Sequence, residues 1–138
     1  MNIATVRTGI ETRLATMGIR TYTTIPENVV VPAAVIQPAD GEFITFDDTF
    51  SLAGVVGYTL NMKVLVVAGR ANIKGSQELL DDYCSVASAN SVRKAITGDT
   101  DLNSSADSAR VTGVANFGVY TFGSIDYLGV EFNIEVLG

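Results

Sequence analysis

An α+β fold is what this sequence predicts, with a mostly antiparallel sheet packed against an N-terminal helix and a central helical segment. Three observations carry the prediction. Residues 58–69, YTLNMKVLVVAG, alternate as a strand, with Tyr58, Leu60, Met62, Val64, Val66 and Ala68 on one face. Residues 127–137 alternate as cleanly, setting Val130, Phe132, Ile134 and Val136 against Glu131, Asn133 and Glu135. Residues 2–17 and 76–97 instead repeat apolar positions every three or four residues, the period of a helix lying on a core. The chain is 138 residues long, which suits one domain with a real core and no metal or disulfide staples.

Taken in order, Asn2 is placed to cap a helix whose stripe is Ile3, Val6, Ile10, Leu14 and Met17, and Gly18 suits its left-handed end. Residues 19–24 read as a short strand. Pro26 and Pro32 bracket an extended linker, because a residue before proline is pushed out of the helical region. Residues 33–37 form a second short strand stopped by Pro38. Residues 39–57 are long and poorly patterned, with a possible strand at 43–46. The 58–69 strand follows. Its first half has a polar second face (Thr59, Asn61, Lys63), but Leu65 and Val67 make that face apolar in the second half. A strand covered on both faces belongs in the middle of a sheet. Ser76 is expected to cap a helix from 77 to about 87, with Leu79, Leu80, Tyr83 and Ala87 inward. Ser91 is expected to cap a shorter helix over 92–97, ended by Gly98. After a polar loop at 103–108, strands at 109–121 and 127–137 make a hairpin turning at Gly123 and Ser124.

Composition excludes several chemistries. The chain has no His and a single Cys84, which removes Cys/His zinc sites, Ser-His-Asp triads, Cys-His dyads and an internal disulfide. The net charge of -6 argues against nucleic acid held on a basic patch, although not against DNA passing nearby. No window reaches the length of a membrane-spanning helix, and Arg7, Glu11 and Arg13 make residues 2–17 unlike a signal peptide. Charged residues are 17% of the chain, below the roughly 25% of an average soluble domain, which suits burial of surface in an oligomer.

The remaining candidates for chemistry are weak. Asp99, Asp101 and Asn103 begin like a calcium loop, but Ser104 stands where Gly is needed and Arg110 where a bidentate Glu is needed. The adjacent acids Asp47 and Asp48, and Asp81 and Asp82, point apart on any regular element, so neither pair is preset to share a proton. The glycines match no phosphate-binding pattern. Arg93 and Lys94 are the only adjacent basic pair and read as a solvated face. No catalytic, cofactor-binding or metal-binding residue is therefore assigned, and an enzyme is not expected.

Sequence patterns scattered along the chain resemble one known family. Gly18-Ile19-Arg20, the strand Tyr22, and Pro26 followed by Pro32-Ala33-Ala34-Val35-Ile36 are similar to the N-terminal half of tail terminator proteins of long-tailed bacteriophages, especially those of actinobacteria. Leu79-Leu80-Asp81 with Tyr83, then Ser91-Val92, Ala95-Ile96, Asp99 and Leu102, and the closing strand from Tyr127 to Val136, look like the same family. These patterns are loose and none is catalytic. The resemblance implies a structural virion protein at the head-proximal end of the tail, present in the host cytoplasm during assembly. It implies a hexameric ring that caps the tail tube, stops its polymerisation and joins the tail tube protein to head–tail connector (neck) proteins. DNA would cross its lumen without specific binding. Alternatives are another head–tail connector, a tail tube subunit or, outside that class, a soluble α+β ligand-binding domain.

Residues 41–57 are the candidate partner interface. Three of the six Phe (Phe43, Phe46, Phe50) lie here with Asp47, Leu52, Val55 and Val56, in a segment that the core does not obviously need. Exposed together, they would form an apolar patch of a kind monomers seldom keep. A hairpin folded onto its own sheet is the alternative.

Overall fold

A computed structural model describes residues 2–48, 56–86, 88–99, 102, 106 and 108–138. The architecture is α+β: among the described residues, three helices lie with a six-stranded, mostly antiparallel sheet. Helix α1 (Ile3–Ala15) leads into β1 (Arg20–Tyr22) and β2 (Ala33–Pro38). Strand β3 (Ile44–Asp48) precedes the long β4 (Val56–Arg70). Helices α2 (Lys74–Cys84) and α3 (Val92–Thr97) follow, and β5 (Ser108–Phe122) and β6 (Ile125–Leu137) close the chain. The sheet order is β1-β2-β4-β6-β5, with β3 beside the first part of β4.

Strand β4 is the centre of this sheet. One side pairs with β3 from Val56 to Leu60 and then with β2 from Met62 to Val67, while the other pairs with β6 along most of its length. The main core lies on the helix side, where Met62, Val64, Val66 and Ala68 meet Ile10, Leu14, Leu80, Ile96 and Phe132. Leu65 and Val67 point the other way, into a smaller core with Val29, Ala33, Val35 and Tyr127. The switch in polarity along β4 thus corresponds to cover on one face and then on two. Val29, from the stretch between Pro26 and Pro32, forms part of the cover on the second face, and the Val31–Pro32 peptide is cis.

Local chemistry accounts for the element ends. The Asn2 side chain accepts from the Ala4 and Thr5 amides at 2.9 and 3.3 Å, satisfying two donors left free at the start of α1. Gly18 takes φ +74° as the chain leaves that helix. Gly123 and Ser124 both have positive φ (56° and 67°), the two-residue turn whose twist matches a hairpin. Ser91 caps α3 by accepting from the Lys94 amide at 3.1 Å, and its hydroxyl donates to the Ser85 carbonyl at 2.6 Å.

Three expectations need correction. Ser76 does not cap α2: Ile73 occupies the N-cap position without a side-chain bond, and Ser76 is buried inside the helix. The reason is close packing on β4, since a Cβ at Gly69 would strike the Ser76 hydroxyl. Helix α2 ends at Cys84, short of 87, and Ala87 lies outside the described residues. The strand expected at 43–46 runs instead from Ile44 to Asp48.

Candidate interaction surface

Strand β3 is held by its turn as well as by its ladder. The Ala39 amide donates to the Asn61 carbonyl at 3.0 Å, and the Asn61 amide donates to the Phe43 carbonyl at 2.7 Å. Thr45 donates to Glu42 at 3.0 Å and accepts from the Asn61 side chain at 3.3 Å. Lys63 reaches Asp40 at 3.0 Å and Glu131 at 3.8 Å. These bonds hold the turn and β3 against β4.

The five residues singled out as a partner interface do not behave as one group. Phe43 is half-buried and packs on the main core, which corrects the expectation of a wholly exposed aromatic cluster. Phe46, three residues later, is 64% exposed. Asp47 pairs with Gly57 in the β3–β4 ladder. Phe50 and Leu52 lie outside the described residues.

The far face of the sheet is open below the smaller core. A groove of about 540 Å³ lies there, lined in part by Asp40, Glu42, Asn61, Glu131, Asn133 and Glu135. Its basic neighbours are engaged, Lys63 as above and Arg110 with Glu135 at 3.0 Å. Among the described residues no three His, Cys, Asp or Glu side chains could hold a metal ion. Most of the calcium-like stretch after Asp99 lies outside the described residues. Burial, then the nearby Asp81 carboxylate, pushes the Cys84 thiol above its ordinary value, the opposite of nucleophile activation. Burial also raises the Tyr120 hydroxyl, followed by the charge of Glu131, and that hydroxyl donates to the Asn116 carbonyl at 2.6 Å. No described helix is long and apolar enough to cross a membrane.

A second surface had no place among the sequence candidates. Strand β5 is the last strand of the sheet, and Val114, Phe117 and Val119 on it are 44, 49 and 59% exposed. The register sets Val114 opposite Phe132 and Val119 opposite Leu128, on the side of the main core. Val114 and Val119 are thus exposed apolar residues on the core side of the last strand, and Phe117 falls in the bulge between Ala115 and Gly118. A signal for this is visible in the chain: residues 108–122 hold one charge, Arg110, and no Pro. Edge strands commonly carry both as guards against pairing.

No family model matches the sequence, and no curated protein matches it.

Proposed function

We propose that this chain is a structural virion protein, a subunit of a hexameric ring that caps the tail tube of a long-tailed bacteriophage. In this reading the ring ends tube polymerisation, offers a surface to the head-side neck proteins and lets DNA cross its lumen. The sequence resemblance suggests the role. The observation that carries it in the fold is the placement of exposed apolar residues at sheet edges: Phe46 on β3, and Val114, Phe117 and Val119 on β5. Such edges are suited to strand and subunit contacts. The acidic net charge suits a channel that must not hold DNA, because each fixed lumen cation would add a phosphate contact.

Deleting the coding sequence from the phage tests the role. Electron micrographs of the lysate are expected to contain filled heads and unjoined tails of uncontrolled length. Normal-length tails attached to heads would exclude it. A head-side connector predicts a different picture, with tails of normal length that fail to join.

A further inference from the structure

We infer that Asp40 and Gly41 form a modification site, where the Asp40 side chain closes on the Gly41 amide and reopens as an isoaspartyl link. The grounds lie in one turn and hold whatever role the protein has. Such a closure needs a carboxyl open to water, a next amide that is not hydrogen-bonded, and a next residue with no side chain in the way. The Asp40 side chain is 83% exposed. The Gly41 amide has no acceptor among the described residues. Gly41 has φ +86°, and nothing lies within 4 Å of where its Cβ would stand, so the backbone there is uncrowded and keeps the freedom of glycine. Asp40 is the only aspartate in the chain that precedes a glycine. Asp81 and Asp82 precede residues inside α2, whose amides bond back to the preceding turn. Asp47 and Asp126 lie in extended strands and precede residues with side chains.

In the first step the Gly41 nitrogen bonds to the Asp40 Cγ of the protonated carboxyl. The Cγ–OH bond breaks, and the hydroxyl leaves as water with the amide proton. Water then opens the cyclic imide. Breaking the bond from the nitrogen to Cγ restores aspartate. Breaking the bond from the nitrogen to the Asp40 main-chain carbonyl carbon leaves the chain linked through Cγ, with a free carboxylate on Cα. One water leaves and one returns, so no co-reactant is needed and the mass is unchanged. The position of the turn gives the change a structural consequence. The Ala39 amide donates to the Asn61 carbonyl and the Asn61 amide donates to the Phe43 carbonyl, so Asn61 closes the turn at both ends. The isoaspartyl link makes the main chain one atom longer between those two bonds. It also consumes the carboxyl that Lys63 holds at 3.0 Å and leaves Lys63 with Glu131 at 3.8 Å. The turn that leads into β3 is thereby loosened.

The test stores the purified, folded chain for several weeks in mildly acidic buffer and follows it by peptide mapping and thermal melts. Cleavage after glutamate releases residues 28–42, in which Asp40 is the only aspartate. A second chromatographic form of that peptide is expected, with the same mass and labelled by a protein isoaspartyl methyltransferase. The tryptic peptide 75–93, which holds Asp81 and Asp82, is expected to stay unlabelled. The stored chain is expected to melt a few degrees lower than the fresh chain. Treatment with the methyltransferase and its methyl donor, which returns isoaspartate to aspartate, is expected to restore the melt. Asp40→Glu keeps a carboxylate near Lys63 but closes a larger ring far more slowly, so its melt is expected to hold on storage. No second form of residues 28–42, equal labelling of residues 75–93, a melt that storage leaves unchanged or the methyltransferase does not restore, or an equal decline in Asp40→Glu overturns the inference. The phage deletion result is independent of all these outcomes, so failure here and failure of the tail role are separable.

Discussion

Replacing Phe43 and Phe46 by alanine, one at a time, separates a core ring from a contact ring. Phe46 is 64% exposed, so about a third of it is removed from water. At about 1.5–3 kcal/mol for complete burial, its truncation costs about 0.5–1 kcal/mol. Phe43 is half-buried on the main core, and its carbonyl accepts from the Asn61 amide. A fully buried Phe costs about 3–5 kcal/mol on truncation, and the partial exposure of Phe43 reduces that to about 2–3 kcal/mol. For a domain of this length each kcal/mol moves the melting temperature by about 3–4 °C. Phe43→Ala is therefore expected to lower Tm by about 8 °C, and Phe46→Ala by about 2–4 °C. Urea titration provides the second reading, with the midpoint shifting and the slope unchanged. In a phage complementation assay, Phe46→Ala is expected to impair incorporation into tails more than its small stability loss explains. Equal destabilisation by the two, or normal incorporation of Phe46→Ala, would refute the division of the segment.

Other predictions concern the scaffold. Gly9→Ala gains about 1 kcal/mol of helix propensity, but its Cβ would lie 2.7 Å from the Leu102 Cβ and 2.8 Å from the Leu102 carbonyl, so the melt is expected to fall by a few degrees. An unchanged or raised Tm contradicts that packing. Ser91→Ala removes the α3 cap and the bond to the Ser85 carbonyl, for a loss of about 1–2 kcal/mol in urea titration; Ser76→Ala removes no cap and is expected to cost less. Burial raises the Tyr83 hydroxyl above its ordinary value. The unfolded chain then loses that proton first as the solution turns alkaline. The stability is thus complete below about pH 10 and declines as pH rises from there toward the folded value. Tyr83→Phe is expected to flatten that decline in Tm measured against pH, and an unchanged slope would count against it.

Much of the fold could be read from residue order because its signals are local. Leu65 and Val67 announced cover on the second face of β4 by breaking the polar run of Thr59, Asn61 and Lys63. Asn2 and Ser91 act as caps as their side chains allow. Ser76 looked equally suitable, but a backbone approach between Gly69 and α2 decides that helix start, and a close approach leaves no mark on periodicity. Gly9 was missed for the same reason, since a buried glycine adds nothing to an apolar stripe. The bulges of β5, between Val111 and Gly113 and between Ala115 and Gly118, interrupt its alternation and conceal which side chains face the helices. The candidate surface was the least legible part. Aromatic identity drew Phe43 and Phe46 together, although only the ladder to β4 fixes their directions. That β3 and β5 are edges is a property of strand order, which no single segment contains.

The proposed ring would lie at the head-proximal end of the tail. Averaged electron-microscope images of intact virions, with the protein located by a tag on its C-terminus, test it directly. A sixfold ring of tagged subunits is expected between the last turn of the tube and the neck. Tag density elsewhere in the particle, or a ring of another symmetry at that position, would contradict it.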